Sequence, residues 1–397
     1  MSRVVHDYPF GPAEGMELHP KYARLRESEP VARVRMPYGG EGWLITRYAD
    51  AKVVLTDPRF SMAEGAGNDI PRPTEVPPEP GGLLALDPPE HSRLRKLLAK
   101  AFTARRIEAA RPAVTALVNQ LLDDMLDKGA PADLRSHLAL PLPMTVISDM
   151  LGVPHEDQAL FGVFADTLMS AGRYTPEEIE KATDDFMAYL SDLVAQRRKN
   201  PTDDVLGALV QARDDTDRLS EHELLVLAGG LLVGGHETTA NHIGNFVYLL
   251  LEERSRYEEI VAAPDLVPAV VDELLRFAPL TTMSGFTRIA KEDVQLGEVT
   301  VRAGEGVVLS FAVPNRDAEV FPDPERVDFH RERNPHLGLG HGVHHCLGAQ
   351  LARMELQVTL RVLAQRLPGL RLAVAPEELR WKTGMLVRGL EELPVRW

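Results

Sequence analysis

Helical periodicity running from Asp87 to Phe277 limits what this chain can fold into more than any other feature. Apolar residues recur there at spacings of three and four, interrupted only by short polar or proline-containing joints. The pattern predicts helices over 88–101, 105–128, 141–151, 155–170, 176–199, 203–213, 220–253, 256–262 and 266–277. A further helical pattern follows Leu347, with Leu351, Met354, Val358 and Val362 on one face. Strands are predicted only towards the two ends. Ala32, Val34 and Met36 alternate with Arg33 and Arg35, and Tyr38-Gly39-Gly40 turns this run into Trp43–Thr46, as in a hairpin. Val294–Leu296, Val299–Val301 and Val307–Leu309 are separated by Gly297 and Gly304, and Arg371–Val374 is expected to close a hairpin with Met385–Arg388. A short helix is predicted from Tyr48, irregular chain over 61–86, and a meander from Pro314 to Pro335. The expected fold class is mainly α with a minor β part. No linker, repeat or low-complexity block divides the 397 residues, so a single domain over 1–397 is expected.

The formal charge of −15 argues against nucleic acid as a partner, because phosphates require a basic surface. The start of the chain, with His6, Asp7 and Pro9, is unlike a signal peptide. No apolar run approaches the roughly 20 residues that span a bilayer, so no membrane association is expected. One cysteine excludes an internal disulfide framework and is consistent with a reducing compartment. A cytoplasmic monomer is therefore expected.

The lone cysteine is the first chemical signal. It lies in Leu337-Gly338-Leu339-Gly340-His341-Gly342-Val343-His344-His345-Cys346-Leu347-Gly348, a glycine-rich loop leading into the last long helix. A sulfur at a helix start faces unpaired backbone N–H groups that favour its anion and lower its pKa. Glycines allow backbone to approach a ligand closely. The residues leave three readings open: an inert buried thiol, a zinc site with His341, His344 and His345, or a thiolate on an iron whose other ligands come from a ring.

Three other constellations carry chemistry. Gly234-Gly235-His236-Glu237-Thr238-Thr239 interrupts a long apolar helix that starts with the capping-box pair Ser220 and Glu223. Each glycine costs a helix interior roughly 1 kcal/mol relative to alanine, so something is expected to come close to this turn. Glu237 and Thr238 place an acid and a hydroxyl in surroundings that should otherwise be dry; a kink with solvent-facing polar groups is the plainer alternative. Glu273-Leu274-Leu275-Arg276 can form an ion pair on one helix face, either on the surface or with Arg326 of the meander as a third member. In Asp87-Pro88-Pro89-Glu90-His91-Ser92-Arg93-Leu94-Arg95-Lys96, Asp87 is expected to cap a helix. His91 and Arg95 then share one stripe that could hold carboxylates. Arg93, Lys96 and Lys100 share another, which is either a solvated face or a docking surface for an acidic protein.

In this order, these elements resemble the cytochrome P-450 family of heme-thiolate monooxygenases, from about Tyr22 to Arg388. The style, in phrases such as Asp87-Pro88-Pro89-Glu90-His91 and Pro314-Asn315-Arg316-Asp317, is similar to actinomycete macrolide-tailoring hydroxylases and epoxidases. The resemblance implies heme b (iron-protoporphyrin IX) as cofactor, with Cys346 as the axial iron ligand and His91, Arg95, Arg288 and His344 around the propionates. It implies Glu237 and Thr238 as a catalytic proton-delivery pair, and Glu273, Arg276 and Arg326 as a structural lock around the cysteine. Leu339 departs from the family pattern, which commonly has phenylalanine seven residues before the cysteine.

By the same resemblance the chain inserts one oxygen atom of O2 into a substrate, with electrons from NAD(P)H through a ferredoxin reductase and a ferredoxin. The basic stripe, with Arg105, Arg106 and Arg353, is the candidate docking face. Leu84, Met169, Val233, Gly234, Met283, Ser284, Met385 and Leu386 are the candidate substrate-binding residues. Their apolar character suits a macrolide, another polyketide or a steroid-like molecule. A peroxide-driven heme enzyme, a heme-binding sensor without turnover and a zinc-binding interaction protein are the rival readings.

Overall fold

The computed structural model describes residues 4–11, 15–77, 80–214, 219–281 and 287–397. Among these, twelve α-helices follow one another: α1 (Lys21–Ser28), α2 (Tyr48–Thr56), α3 (Glu90–Ala99), α4 (Ala104–Lys128), α5 (Pro141–Leu151), α6 (Gln158–Leu168), α7 (Pro176–Lys199), α8 (Val205–Asp214), α9 (Glu221–Glu252), α10 (Arg254–Ala262), α11 (Val267–Phe277) and α12 (Ala349–Arg366). The strands are short: β1 (His6–Asp7), β2 (Val31–Arg35), β3 (Glu41–Ile45), β4 (Phe60–Ser61), β5 (Ala132–Asp133), β6 (Arg288–Ala290), β7 (Val294–Leu296), β8 (Val299–Val301), β9 (Gly306–Leu309), β10 (Arg371–Leu372) and β11 (Pro394–Arg396). The fold is mainly α with a minor β part, as the periodicity implies. No described helix is long and apolar enough to cross a membrane.

The long helix α9 is the spine. Its start is fixed by the expected capping box: Ser220 Oγ accepts the Glu223 N–H at 3.1 Å, and the Glu223 carboxylate accepts the Ser220 N–H at 2.7 Å. At 1.5 Å per residue it spans about 48 Å. Every residue from Thr239 to Leu251 is buried, as expected of a helix that other elements cover on all sides. Apolar side chains of α4, α5, α7, α11 and α12 join those of α9 in one core.

The main sheet, in the order β1-β2-β3-β9-β6-β4, pairs strands from both ends of the chain. A second apolar cluster lies against it, and Leu337 of the cysteine loop belongs to that cluster. The loop is thereby packed against the sheet side of the molecule while α12 carries its other end into the helical core.

Two local expectations need correction, two elements lie beyond those predicted, and one open reading is decided. Asp87 does not cap α3 with its side chain: the carboxylate accepts the Ser61 hydroxyl and, at 2.9 Å, the Met62 N–H. The segments 371–374 and 385–388 do not pair with each other. β10 pairs with β11, and β11 pairs with β5, whereas Met385 bridges Ser170 and Val387 bridges Thr281. Helix α1 and strand β6 lie outside the predicted elements, because neither carries a clear periodicity. Glu273 and Arg276 of α11 are not a surface pair, being only 1% and 0% exposed.

That pair organises the meander. The Arg276 guanidinium donates to both Glu273 oxygens, at 2.8 and 2.7 Å, and to the carbonyls of Asn315, Pro324 and Arg326 at 2.8–3.0 Å. Arg326 therefore takes part through its carbonyl, with its side chain exposed. The extra side chains on Glu273 are Arg331, 3.3 Å away, and Asn334, at 3.2 Å. Removing one partner of a buried pair costs about 3–5 kcal/mol, because the other charge is left uncompensated. Arg276→Met should lower the free energy of unfolding by about that much, as read from urea unfolding curves; a variant with the parent's midpoint would contradict the structural role of this pair.

Candidate active site

Cys346 sits at the end of a loop pressed between α11 and α2. Gly338 lies so close to α11 that a Cβ would come within 2.2 Å of the Leu275 carbonyl oxygen. Gly342 has φ +70° and a Cβ there would meet the Leu55 carbonyl oxygen at 2.3 Å. These glycines thus serve contacts with the protein's own backbone, rather than the ligand contact expected from the sequence. The Cys346 N–H donates to the Leu339 carbonyl at 2.8 Å, which closes the loop.

Cys346 is exposed to the space it faces, yet protein surrounds the sulfur on its other sides. Burial pushes the thiol up; a hydrogen bond from the Gly348 N–H and the nearby Arg95 and Arg353 guanidinium groups act in the opposite direction. The expected lowering at a helix start is therefore outweighed by desolvation. Helix α12 begins only at Ala349, beyond the cysteine.

Four of the predicted residues gather beside this loop. The rings of His91 on α3 and His344 have centroids 4.3 Å apart. All four of their ring nitrogens are buried and lack a hydrogen-bond partner. Burial, Arg288 and His91 depress His344 to about 3, while burial followed by Arg95 depresses His91. Arg288 on β6 is buried and lowered to about 10 by desolvation, with Asp87 opposing the shift. Arg95 donates to the His345 carbonyl at 2.5 Å. Two unpaired imidazoles and a desolvated guanidinium have one carboxylate near them, Asp87, whose oxygens already accept from Ser61 and Met62, so the ring nitrogens are left for a further carboxylate to complete. Among the described residues no three His, Cys, Asp or Glu side chains converge as a protein-bound zinc would require.

The α9 turn places its acid in the dry surroundings expected from the sequence, with partners of its own. The Thr238 hydroxyl donates to the Gly234 carbonyl at 2.7 Å. Glu237 is 1% exposed and turns instead to Lys382 Nζ at 2.7 Å and to Asn241 Nδ2 at 2.9 Å. The acid and the hydroxyl are adjacent in sequence without a hydrogen bond between them. The two glycines also divide: a Cβ on Gly234 would enter open space, whereas one on Gly235 would press into Ile147 of α5 at 2.8 Å.

Of the candidate substrate-binding residues, Met169 and Leu386 meet, with the Leu386 N–H donating to the Met169 carbonyl at 2.8 Å. Val233 is half-buried, Gly234 and Leu84 are exposed, and Met385 is buried in the protein at 1% exposure. Met283 and Ser284 lie outside the described residues. Sequence reasoning missed Lys382, Asn241, Asp166 and Arg331. Each meets its partner through folding; only Asn241, four residues beyond Glu237 on one helix face, carried a local signal.

The cytochrome P-450 family model matches residues 12–369. Mycinamicin IV hydroxylase/epoxidase of Micromonospora griseorubida is 51% identical over 390 residues, 98% of each chain. Nocardicin C N-oxygenase of Nocardia uniformis subsp. tsuyamanensis is 53% identical over 391 residues, again 98% of each chain. The crystal structure of a cytochrome P-450 hydroxylase from the leinamycin pathway of Streptomyces atroolivaceus superposes with a TM-score of 0.92 at 52% identity, covering 99% of this chain and 100% of that one.

The two glycines make opposite predictions. Gly234→Ala should raise stability by up to about 1 kcal/mol through helix propensity alone. Gly235→Ala should be the less stable of the two, because its methyl must displace Ile147. Thermal unfolding of both variants checks this order, and the reverse order would refute the packing assigned to α5 and α9.

Proposed function

The chain belongs to the cytochrome P-450 family, and from that premise we propose that it oxygenates a largely apolar natural product, with electrons supplied by NAD(P)H through a ferredoxin reductase and a ferredoxin. The enzyme is a cytochrome P-450 monooxygenase, and members of the family bind heme b. The residues present suit that cofactor. The observation that carries the reading is the pair of buried, unpartnered imidazoles of His91 and His344, with Arg288 beside them and the lone cysteine two residues beyond His344.

In this reading Cys346 would ligate the iron, and His91, Arg95, Arg288 and His344 would hold the propionates. The bound group supplies the oxygen and electron chemistry, with thiolate ligation favouring O–O cleavage. The protein's own residues position groups and move protons. Thr238 offers a hydroxyl whose donor bond to Gly234 can be exchanged, and Glu237 is the nearby acid that can replenish its proton. Glu273 and Arg276 act indirectly, by fixing the meander that precedes the cysteine loop.

Leu84, Met169, Val233, Gly234 and Leu386 are proposed to face the substrate, with Met283 and Ser284 also assigned to it from the sequence. The names of the relatives point to mycinamicin IV and nocardicin C; for this chain, the apolar side chains named above suit a largely apolar molecule. For ferredoxin docking, the stripe is smaller than the sequence implied. Arg93 is engaged with Glu223, and Arg353 with Asp272 at 2.8 Å. Lys96, Lys100, Arg105 and Arg106 are exposed and provide the basic face for an acidic partner.

Two outcomes test this reading. Cys346→Ser should abolish the red-shifted ferrous–CO Soret band; a band retained at the parent position would rule out thiolate ligation by this residue. Thr238→Ala should leave that band intact but divert electrons into hydrogen peroxide, and an unchanged ratio of product to NADPH consumed would remove Thr238 from the proton path.

A further inference from the structure

Lys382 is buried at 4% exposure and has two carboxylate partners. Its Nζ lies 2.7 Å from Glu237 Oε1 on α9 and 3.0 Å from Asp166 Oδ1 on α6. The other Asp166 oxygen accepts the Tyr174 hydroxyl at 2.8 Å. Glu237 is also faced by Asn241, by His236 beside it on α9, and by Arg135 at 4.0 Å. Asp166 is also influenced by Arg173. The network therefore runs from a carboxylate with a 24% exposed side chain, at the end of α6, through a buried ammonium to the buried acid of α9.

The backbone around Lys382 is held in register with α6. Trp381 bridges Leu390, and the Lys382 N–H donates to the Gly389 carbonyl at 2.8 Å. At the tip of this hairpin the Gly384 carbonyl accepts the N–H groups of Ala171 and Arg173, at 2.7 and 3.1 Å, and Leu386 is bonded to Met169. A Cβ at Gly384, where φ is +65°, would meet the Arg173 nitrogen at 2.9 Å. The connection between α6 and α7 and the C-terminal hairpin are thus joined, and the side chain of Lys382 extends that junction into α9.

We propose that Lys382 is a positioning residue that clamps Glu237 and, through Asp166, makes the availability of Glu237 as a proton carrier depend on the position of α6. While the clamp is closed, Glu237 Oε1 is occupied by Lys382 and Asn241, and the carboxylate is not bonded to Thr238. Removing Asp166 from Lys382 leaves the ammonium to Glu237 alone; removing Lys382 frees Glu237 from α6. A substrate resting against Met169 would press on the segment that carries Asp166, so occupancy of the site and proton supply would be linked. The inference rests on the reading of Glu237 as a proton carrier.

The test uses the heme-loaded full chain with a surrogate ferredoxin, its reductase, NADPH and mycinamicin IV as probe. Lys382→Met, Lys382→Arg, Asp166→Asn and Glu237→Gln are compared by amide hydrogen exchange over α6, by the solvent deuterium isotope effect on NADPH consumption, and by the ferrous–CO spectrum. The expected result is faster exchange over α6 in Lys382→Met and Asp166→Asn, with a change of roughly twofold or more in the isotope effect. Lys382→Arg should restore both, and the Soret band should stay in place throughout. If Asp166→Asn accelerates exchange over α6 but leaves the isotope effect at the parent value, the link between α6 and Glu237 is overturned. If Glu237→Gln itself leaves the isotope effect unchanged, the fault lies in the proton-carrier reading. Should Lys382→Met fail to fold, Asp166→Asn and Lys382→Arg still decide between these outcomes.

Discussion

The guanidinium of Arg276 is the contact on which the cysteine side of the molecule depends. Its five N–H donors are all used, two on Glu273 and three on meander carbonyls. Glu273 in turn accepts the Asp328 N–H and the side chains of Arg331 and Asn334. A buried ion pair is weak evidence for stability by itself, because desolvation opposes the Coulomb attraction. Here its value is geometric. An irregular segment without a ladder of its own must send its backbone groups somewhere, and several of them end on one cation. The segment so fixed leads directly to Leu337, which is buried with the sheet cluster, and from there to Cys346.

The spine helix meets a related problem in its middle. Apolar residues bury its second half, whereas Glu237, Asn241 and His236 put polar groups into the same low-dielectric surroundings. Their partners come from two other places: Lys382 from the C-terminal hairpin, and Arg135 with the Leu140 carbonyl from the turn before α5. A charge that needs partners from distant parts of the chain ties those parts together, and this is why the buried carboxylate of Glu237 is a joint between α6, α9 and the hairpin.

Much of the site was legible in the sequence because its motifs are local. The His91–Arg95 stripe, the Gly-Gly-His-Glu-Thr turn and the cysteine loop each place side chains within a few residues, where helical spacing or loop chemistry constrains them. What was misread involved a choice between local and distant partners. Asp87 has the right residue type to cap α3 but bonds to Ser61 and Met62 across the fold. Arg326 has a side chain suited to the pair yet contributes its carbonyl, while Arg331, five residues later, reaches Glu273. The glycines of the cysteine loop were read as making room for a ligand, whereas Gly338 and Gly342 make room for Leu275 and Leu55.

Periodicity, capping and motif spacing are properties of neighbouring residues. The mainly helical class, the start of the spine helix and the residue types grouped around the cysteine were therefore already written in the order of the amino acids. Which charges are buried, and with whom, came only from packing. Nothing near Lys382 in the chain announces that it will lie between Glu237, 145 residues before it, and Asp166, 216 residues before it. Desolvation has no local signature: it depends on how helices and hairpin pack, and it is what turns an ordinary surface-type lysine into the partner of a buried acid.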